Sequence, residues 1–184
     1  DNIELLIKEK SISSNDYIFG ISCSGRALFV HELLRQAKDI GANTALLTFN
    51  DIDSQLYIDN IIKVYVGPEI LSGSTRMKSG TATKMILNMI STITMIRLNK
   101  TYGNYMVDLK IVNKKLRIRA INIIKELTGI TSNKAENILK NANGNVKNAI
   151  VMELLNINYL KSVELLEKYD GSLRNVLNTK DINK

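Results

Sequence analysis

Residues 66–81 gather the side-chain types that bind an anion: Val66-Gly67-Pro68-Glu69-Ile70-Leu71-Ser72-Gly73-Ser74-Thr75-Arg76-Met77-Lys78-Ser79-Gly80-Thr81. Before Thr81 the run holds the hydroxyls of Ser72, Ser74, Thr75 and Ser79, the glycines 67, 73 and 80, and the cations Arg76 and Lys78. A strand-like stretch precedes it and a helical pattern follows. A helix N-terminus offers free backbone N–H groups and a favourable dipole to an anion. Hydroxyls add donors, and an arginine can hold a phosphate with two of its own. The alternative is that Ser and Thr merely cap the helix while Arg76 and Lys78 stay solvated. A cap uses one or two such residues, fewer than this loop supplies.

A second small-residue loop, Ser22-Cys23-Ser24-Gly25-Arg26, follows the apolar run 17–21 and precedes a helical pattern. Ligands of open α/β sheets bind beyond the carboxyl ends of strands, where such loops lie. By itself this loop reads equally well as a tight turn with a capping serine. Together the two loops belong to one sheet edge and to a phosphorylated small molecule. Glu69 could serve there as acid or base, though a lone Glu after Pro more often caps or lies on the surface. Cys23 could be a nucleophile at a helix start; without a His or Asn partner nearby in sequence, a small buried filler fits better. His31, the single histidine, falls inside a helical pattern and reads as a helix-surface residue. No metal-ligand spacing is present.

The elements that must position these loops follow from hydropathy. Residues 2–10 read as a helix end. Runs 17–21, 44–49 and 61–66 are short, apolar and bounded by polar turns, as buried strands are. Helices are expected over 27–40, ending at Gly41, and over 81–98. In the second of these Ala82, Met85, Ile86, Met89, Ile90, Ile93 and Ile96 keep core spacing, and the methionines at 77, 85, 89 and 95 need no other reading. Strands alternating with helices predict a parallel sheet. Three strands are few for one, so further strands should come from missing sequence or another chain. Asp1 leads straight into an apolar pattern, which suggests a fragment of a longer protein. Beyond Gly103 no strand-like run appears; helices are expected at 110–127, 132–142, 145–155 and 159–169, with Thr131 as an N-cap and Gly129 and Gly171 as stops.

Composition limits the partners. Hydrophobic residues make up 45% and aromatics 5%, so the core must be aliphatic. A single cysteine, Cys23, excludes an internal disulfide and suits a reducing, cytoplasmic compartment. No apolar run reaches the roughly 18 residues of a membrane span, and no signal peptide is visible. The net charge of +7 raises nucleic acid as a partner. The basic residues are scattered, however, without the basic–aromatic interleaving of an RNA-binding sheet.

The stretch 67–109 closely resembles the signature region of the bacterial N-acetylmuramic acid 6-phosphate etherases, of the sugar isomerase (SIS) class and related to the glucokinase regulatory protein. The likeness includes residues 20–26, Asn113 to Leu116 with Arg119, residues 127–129 and residues 148–152, so it covers nearly the whole chain. It implies a three-layer αβα parallel sheet of the SIS type, incomplete here at about three strands. A small all-α domain like a ubiquitin-associated module would follow, dividing the chain into 1–106 and 107–184. It implies a lyase that cleaves the D-lactyl ether by elimination and then hydration, giving N-acetylglucosamine 6-phosphate and D-lactate, in peptidoglycan recycling. A homodimer and no metal or redox cofactor are implied, with neither nucleic acid nor membrane as partner. The family's two proposed catalytic glutamates and its first phosphate loop lie upstream of the region matched, leaving Glu69 as the one catalytic candidate. The resemblance assigns Ser22, Ser24, Gly25, Arg26, Glu69, Ser72, Ser74, Thr75, Arg76 and Lys78 to the sugar or its phosphate. After Ser-Gly-Arg the family usually has Thr-Pro-Tyr; here Ala27-Leu28-Phe29 removes one hydroxyl. A non-catalytic sugar-phosphate-binding regulatory protein is the alternative reading.

Overall fold

The computed structural model describes residues 3–179. It divides into two compact units, Asp1–Asn88 and Met89–Lys184.

The first unit is built on a sheet of β1 (Tyr17–Ile21), β2 (Asn43–Thr48) and β3 (Asn60–Lys63), ordered β1-β2-β3 and parallel throughout. Tyr17 pairs with Asn43 and Ile21 with Leu47; Ala45 pairs with Asn60. β1 thus lies at an edge, and β2, apolar in the middle, is buried from Thr44 to Thr48. The expected strand at 61–66 is shorter because β2 ends at Thr48, leaving Val64 a single bond to the Thr48 carbonyl (3.0 Å).

Helix α1 (Ile3–Glu9) packs on α2 (Leu28–Asp39), and α2 covers one face of β1 and β2. Leu34 of α2 meets Leu46 and Ile58 in the core, flanked by Ile18 and Val30. Gly20 sets how closely α2 approaches: a Cβ there would lie 2.7 Å from Val30 Cγ1 and 3.0 Å from Leu34 Cδ1. Asp59 accepts from the Thr44 amide (2.9 Å) and from the Lys38 ammonium, anchoring the turn that leads into β3.

Helix α3 (Lys78–Arg97) departs from expectation. Its pattern predicts a core face, yet Ser79 is its one buried residue, and Met89, Ile93 and Ile96 are 52%, 55% and 51% exposed. Every residue from Leu87 to Leu98 is exposed. No helix or strand of the described residues packs along its length. Periodicity records which surface a helix must bury; it does not say that the covering partner is in the same chain.

The second unit contains a small hairpin and five helices. Strands β4 (Thr101–Tyr102) and β5 (Tyr105–Met106) pair antiparallel around Gly103-Asn104, correcting the expectation of no further strand. Two-residue strands carry no readable period; the signal was the turn, where Gly103 takes φ 57°. The helices are α4 (Lys114–Thr128), α5 (Ser132–Asn141), α6 (Val146–Leu155), α7 (Tyr159–Lys168) and α8 (Leu173–Asn178). The sequence reading places the first four, with α4 starting later than expected, and misses the short α8.

Each of these helices starts at a side-chain cap. Asn113, Thr131, Asn145, Asn158 and Ser172 accept from the backbone N–H three residues on. Such a cap is typically worth about 1 kcal/mol. The stop expected at Gly129 is an αL C-cap at φ 74°. α6 is the central helix: α4, α5, α7 and α8 all pack on it, and Val146 to Val151 are all buried. A helix buried on every side needs such a position. Lys147, buried within that run, donates to the Gly171 carbonyl (2.9 Å) and lies 3.8 Å from Asp108. Its pKa is lowered, mainly because burial disfavours the charge.

Ile150 is fully buried in this core. Ile150→Ala is expected to cost about 2–5 kcal/mol in urea denaturation, whereas Met89→Ala on exposed α3 should stay within about 0.5 kcal/mol. Similar losses from both would contradict the described burial of α3.

Candidate functional site

Because all three strands run the same way, the segments leaving their carboxyl ends lie along one edge of the sheet. The segment after β1 is Ser22–Arg26. Ser22 is buried, and its hydroxyl accepts from the Ala27 amide (3.3 Å); that of Ser24 accepts from the Arg26 amide (3.2 Å). These two oxygens hold the amides of the turn that enters α2, whose N-cap residue Ala27 makes no side-chain cap. Each hydroxyl, while accepting, keeps its own hydrogen as a donor.

Gly25 is required here for two reasons. It sits at φ 70°, and a Cβ would lie 2.4 Å from Ile52 Cγ2 and 2.8 Å from Thr48 Oγ1. The loop is stitched to the end of β2: the Cys23 carbonyl accepts from the Phe49 amide (3.1 Å) and from Asn50 Nδ2 (2.8 Å). Cys23 itself is half-buried.

His31 does more than occupy a helix surface. Its Nε2 lies 2.6 Å from the Gly25 carbonyl, which can only accept, so Nε2 carries the hydrogen. In the neutral ring Nδ1 then accepts from the Tyr57 hydroxyl at 3.0 Å. The imidazole thereby clamps the turn of the serine loop. Sequence spacing could not show this, because Tyr57 is 26 positions away.

A cleft of about 580 Å³ opens beside this loop, lined by Gly25, Arg26, His31, Asp51, Ile52, Asp53, Gln55 and Lys63. Sequence reasoning treated residues 50–54 as a plain polar turn. The available signal was their place after β2, at the edge where ligands bind. The Asp51 carboxyl is held below the usual carboxylate range, first by the Tyr65 hydroxyl (2.7 Å), with Lys63 at 3.5 Å assisting. The cleft therefore presents cations at Arg26 and Lys63 beside an ionised Asp51.

The 69–80 segment does not line that cleft. Its chemistry turns inward at one point: the Glu69 carboxylate accepts from the Lys78 amide (3.1 Å) and the Ser79 amide (3.0 Å) at the start of α3. Two donors counted from sequence as open to a ligand thus hold an internal carboxylate. Glu69 is a helix cap here, the plainer of its two readings. The Lys78 ammonium donates to the Pro68 carbonyl (2.8 Å). Ser74 is half-buried, while Ser72, Thr75 and Arg76 are exposed. Among the described residues Arg76 has no ion pair.

The Ser79 and Lys78 amides, in that order, pull the Glu69 pKa below its usual value. A depressed carboxyl contributes stability above its unfolded-state pKa, and that contribution is lost as pH falls through the folded-state value. Acidification below the carboxylate range should therefore speed proteolysis within 69–80. Glu69→Gln should already be cleaved faster at neutral pH and respond less to acid. Identical cleavage profiles for the two proteins would rule out this role.

Among the described residues no group of three or more His, Cys, Asp and Glu is placed to hold a metal, and no helix is long and apolar enough to cross a membrane. Residues 103–150 match the family model described as the C-terminal lid domain of glucokinase regulatory protein. The chain is 44% identical over 168 residues to the N-acetylmuramic acid 6-phosphate etherase of Geobacillus thermodenitrificans, covering 90% of this chain and 57% of the relative. It is 44% identical over 181 residues to that of Geobacillus sp. strain WCH70, covering 96% and 61%. With N-acetylmuramic acid 6-phosphate etherase 1 of Bacillus licheniformis the identity is 45% over 168 residues, covering 91% and 55%. The chain thus spans under two thirds of the length of these curated relatives. Along nine tenths or more of its own length, it is related to the N-acetylmuramic acid 6-phosphate etherases.

Proposed function

We propose that this chain supplies the sugar-phosphate-binding and helical parts of an N-acetylmuramic acid 6-phosphate etherase, a carbon–oxygen lyase. The observation that carries this reading is the Ser22–Arg26 loop. It combines two hydroxyls, a required glycine and an adjacent cation at the carboxyl edge of a parallel sheet, in a chain 41–45% identical to the etherases. The substrate is a phosphorylated amino sugar bearing a D-lactyl ether. Ser22, Ser24, Gly25 and Arg26 bind it from one side of the edge; Ser72, Ser74, Thr75, Arg76 and Lys78 supply the second group of donors, ordered by Glu69. The reaction is elimination of D-lactate followed by addition of water, giving N-acetylglucosamine 6-phosphate. The acid and base belong to the part of an etherase that this chain does not match.

In this reading residues 1–106 are the C-terminal part of a three-layer SIS sugar-phosphate-binding domain, with only about three of its strands. Residues 107–184 form a helical domain in which residues 131–155 take the place of a ubiquitin-associated-type module, without ubiquitin as a ligand. The assembly is a cytoplasmic homodimer in cell-wall recycling. The match of 103–150 to a regulatory protein's lid domain favours a second reading, a non-catalytic sugar-phosphate sensor.

In an etherase-length protein carrying this chain, Arg76→Ala should weaken N-acetylglucosamine 6-phosphate binding about 10- to 100-fold, the ~1.5–3 kcal/mol of a hydrogen bond to a charged group. Calorimetry on both proteins tests this, and equal affinities refute it. The 184 residues alone should release no D-lactate. Release by the purified chain would place the acids within it, and an inactive etherase-length protein that still binds the sugar phosphate would favour the sensor.

A further inference from the structure

The imidazole of His31 joins two segments that line one cleft. Its Nε2–H donates to the Gly25 carbonyl (2.6 Å), and its Nδ1 accepts from the Tyr57 hydroxyl (3.0 Å). In the neutral ring each nitrogen then has its one partner. Neither is left to exchange a proton with a ligand, so His31 lines the cleft without being placed for catalysis.

On one side the ring fixes a single peptide plane. The Gly25 carbonyl and the Arg26 amide belong to the same planar unit. His31 holds its oxygen, and the Ser24 hydroxyl holds its N–H (3.2 Å). With both ends of the plane tied, the direction in which the chain enters Arg26 is set. Gly25 has no slack to yield, since its backbone lies against Ile52 and Thr48.

On the other side the ring holds the segment that follows β2. The Tyr57 carbonyl accepts from Thr44 Oγ1 (2.8 Å), a fully buried residue of β2. The Tyr57 ring meets the imidazole edge-on, with centroids 6.0 Å apart and planes at 87°. Asp51, Asp53 and Gln55, just before Tyr57, line the cleft with Arg26. The connection from Tyr57 through His31 to Gly25 therefore sets the spacing between Arg26 and this turn. Tyr57 is 26 positions from His31, and its hydroxyl has no other hydrogen bond among the described residues.

We propose that His31 and Tyr57 are positioning residues of the sugar-phosphate cleft, acting as one unit to hold Arg26 and the 51–55 turn in their binding arrangement. A cleft already ordered binds without the cost of ordering itself. This rests on the sugar-phosphate reading and adds the two side chains on which its affinity depends.

The chain has a single histidine, so its imidazole NMR signals belong to His31 alone. They are expected to show the Nε2–H form, with the Nδ1 signal moved by Tyr57→Phe. Calorimetry of the 184-residue chain with N-acetylglucosamine 6-phosphate should give binding about tenfold weaker for His31→Ala and for Tyr57→Phe. Tyr57→Phe keeps the ring and should melt close to the unsubstituted chain. The double substitution should bind no more weakly than His31→Ala, because the two residues act together. His31→Gln offers one donor and one acceptor as the ring does, and should recover most of the affinity. Full affinity in either single variant, losses that add in the double, losses that track a fall in melting temperature, or no recovery with Gln would overturn the proposal. Absence of binding by the unsubstituted chain would instead overturn the sugar-phosphate reading, and the positioning role with it.

Discussion

The parallel pairing of β1 with β2 is the constraint on which the candidate site rests. With Tyr17 opposite Asn43 and Ile21 opposite Leu47, both strands must end at the same level. The serine loop and the Asn50–Gln55 turn then emerge side by side, and the Cys23 carbonyl can join them by accepting from Phe49 and Asn50. A register slip of one residue would reverse the faces of β2 and carry Leu46 away from Leu34. The cleft, its cations and the clamp made by His31 all follow from that alignment.

The two polar loops turn out to work differently. In the serine loop the oxygens of Ser22 and Ser24 accept from backbone amides while their hydrogens remain available, so ordering the loop and presenting donors are compatible. In the second loop the same kind of backbone donors are already taken by Glu69. An internal carboxylate at a helix start fixes the entry into α3, leaving Arg76 and its neighbouring hydroxyls as the groups that face solvent.

Much of this was legible in the residues. The strand at 17–21 is read to its boundaries because polar turns delimit a wholly apolar run, and Thr131 and Gly129 announced the ends of their helices by cap chemistry. The β4–β5 hairpin and α8 are too short to show a period. The Glu69 cap and the His31–Tyr57 contact join residues distant in sequence, which no local pattern encodes. Asp51 and Lys63 drew no attention because a polar turn becomes part of a site only once the sheet places it. For α3 the periodicity was real but the inferred burial was not, since the sequence specifies a surface to be covered without naming the cover.

That uncovered helix also has a calorimetric meaning. Water around Leu87, Ile93 and Leu98 contributes hydration heat capacity to the chain as it stands, and removing that water on association carries a negative heat-capacity change. Since apolar hydration weakens the driving force on cooling, whatever closes over α3 should hold more loosely in the cold than at growth temperature.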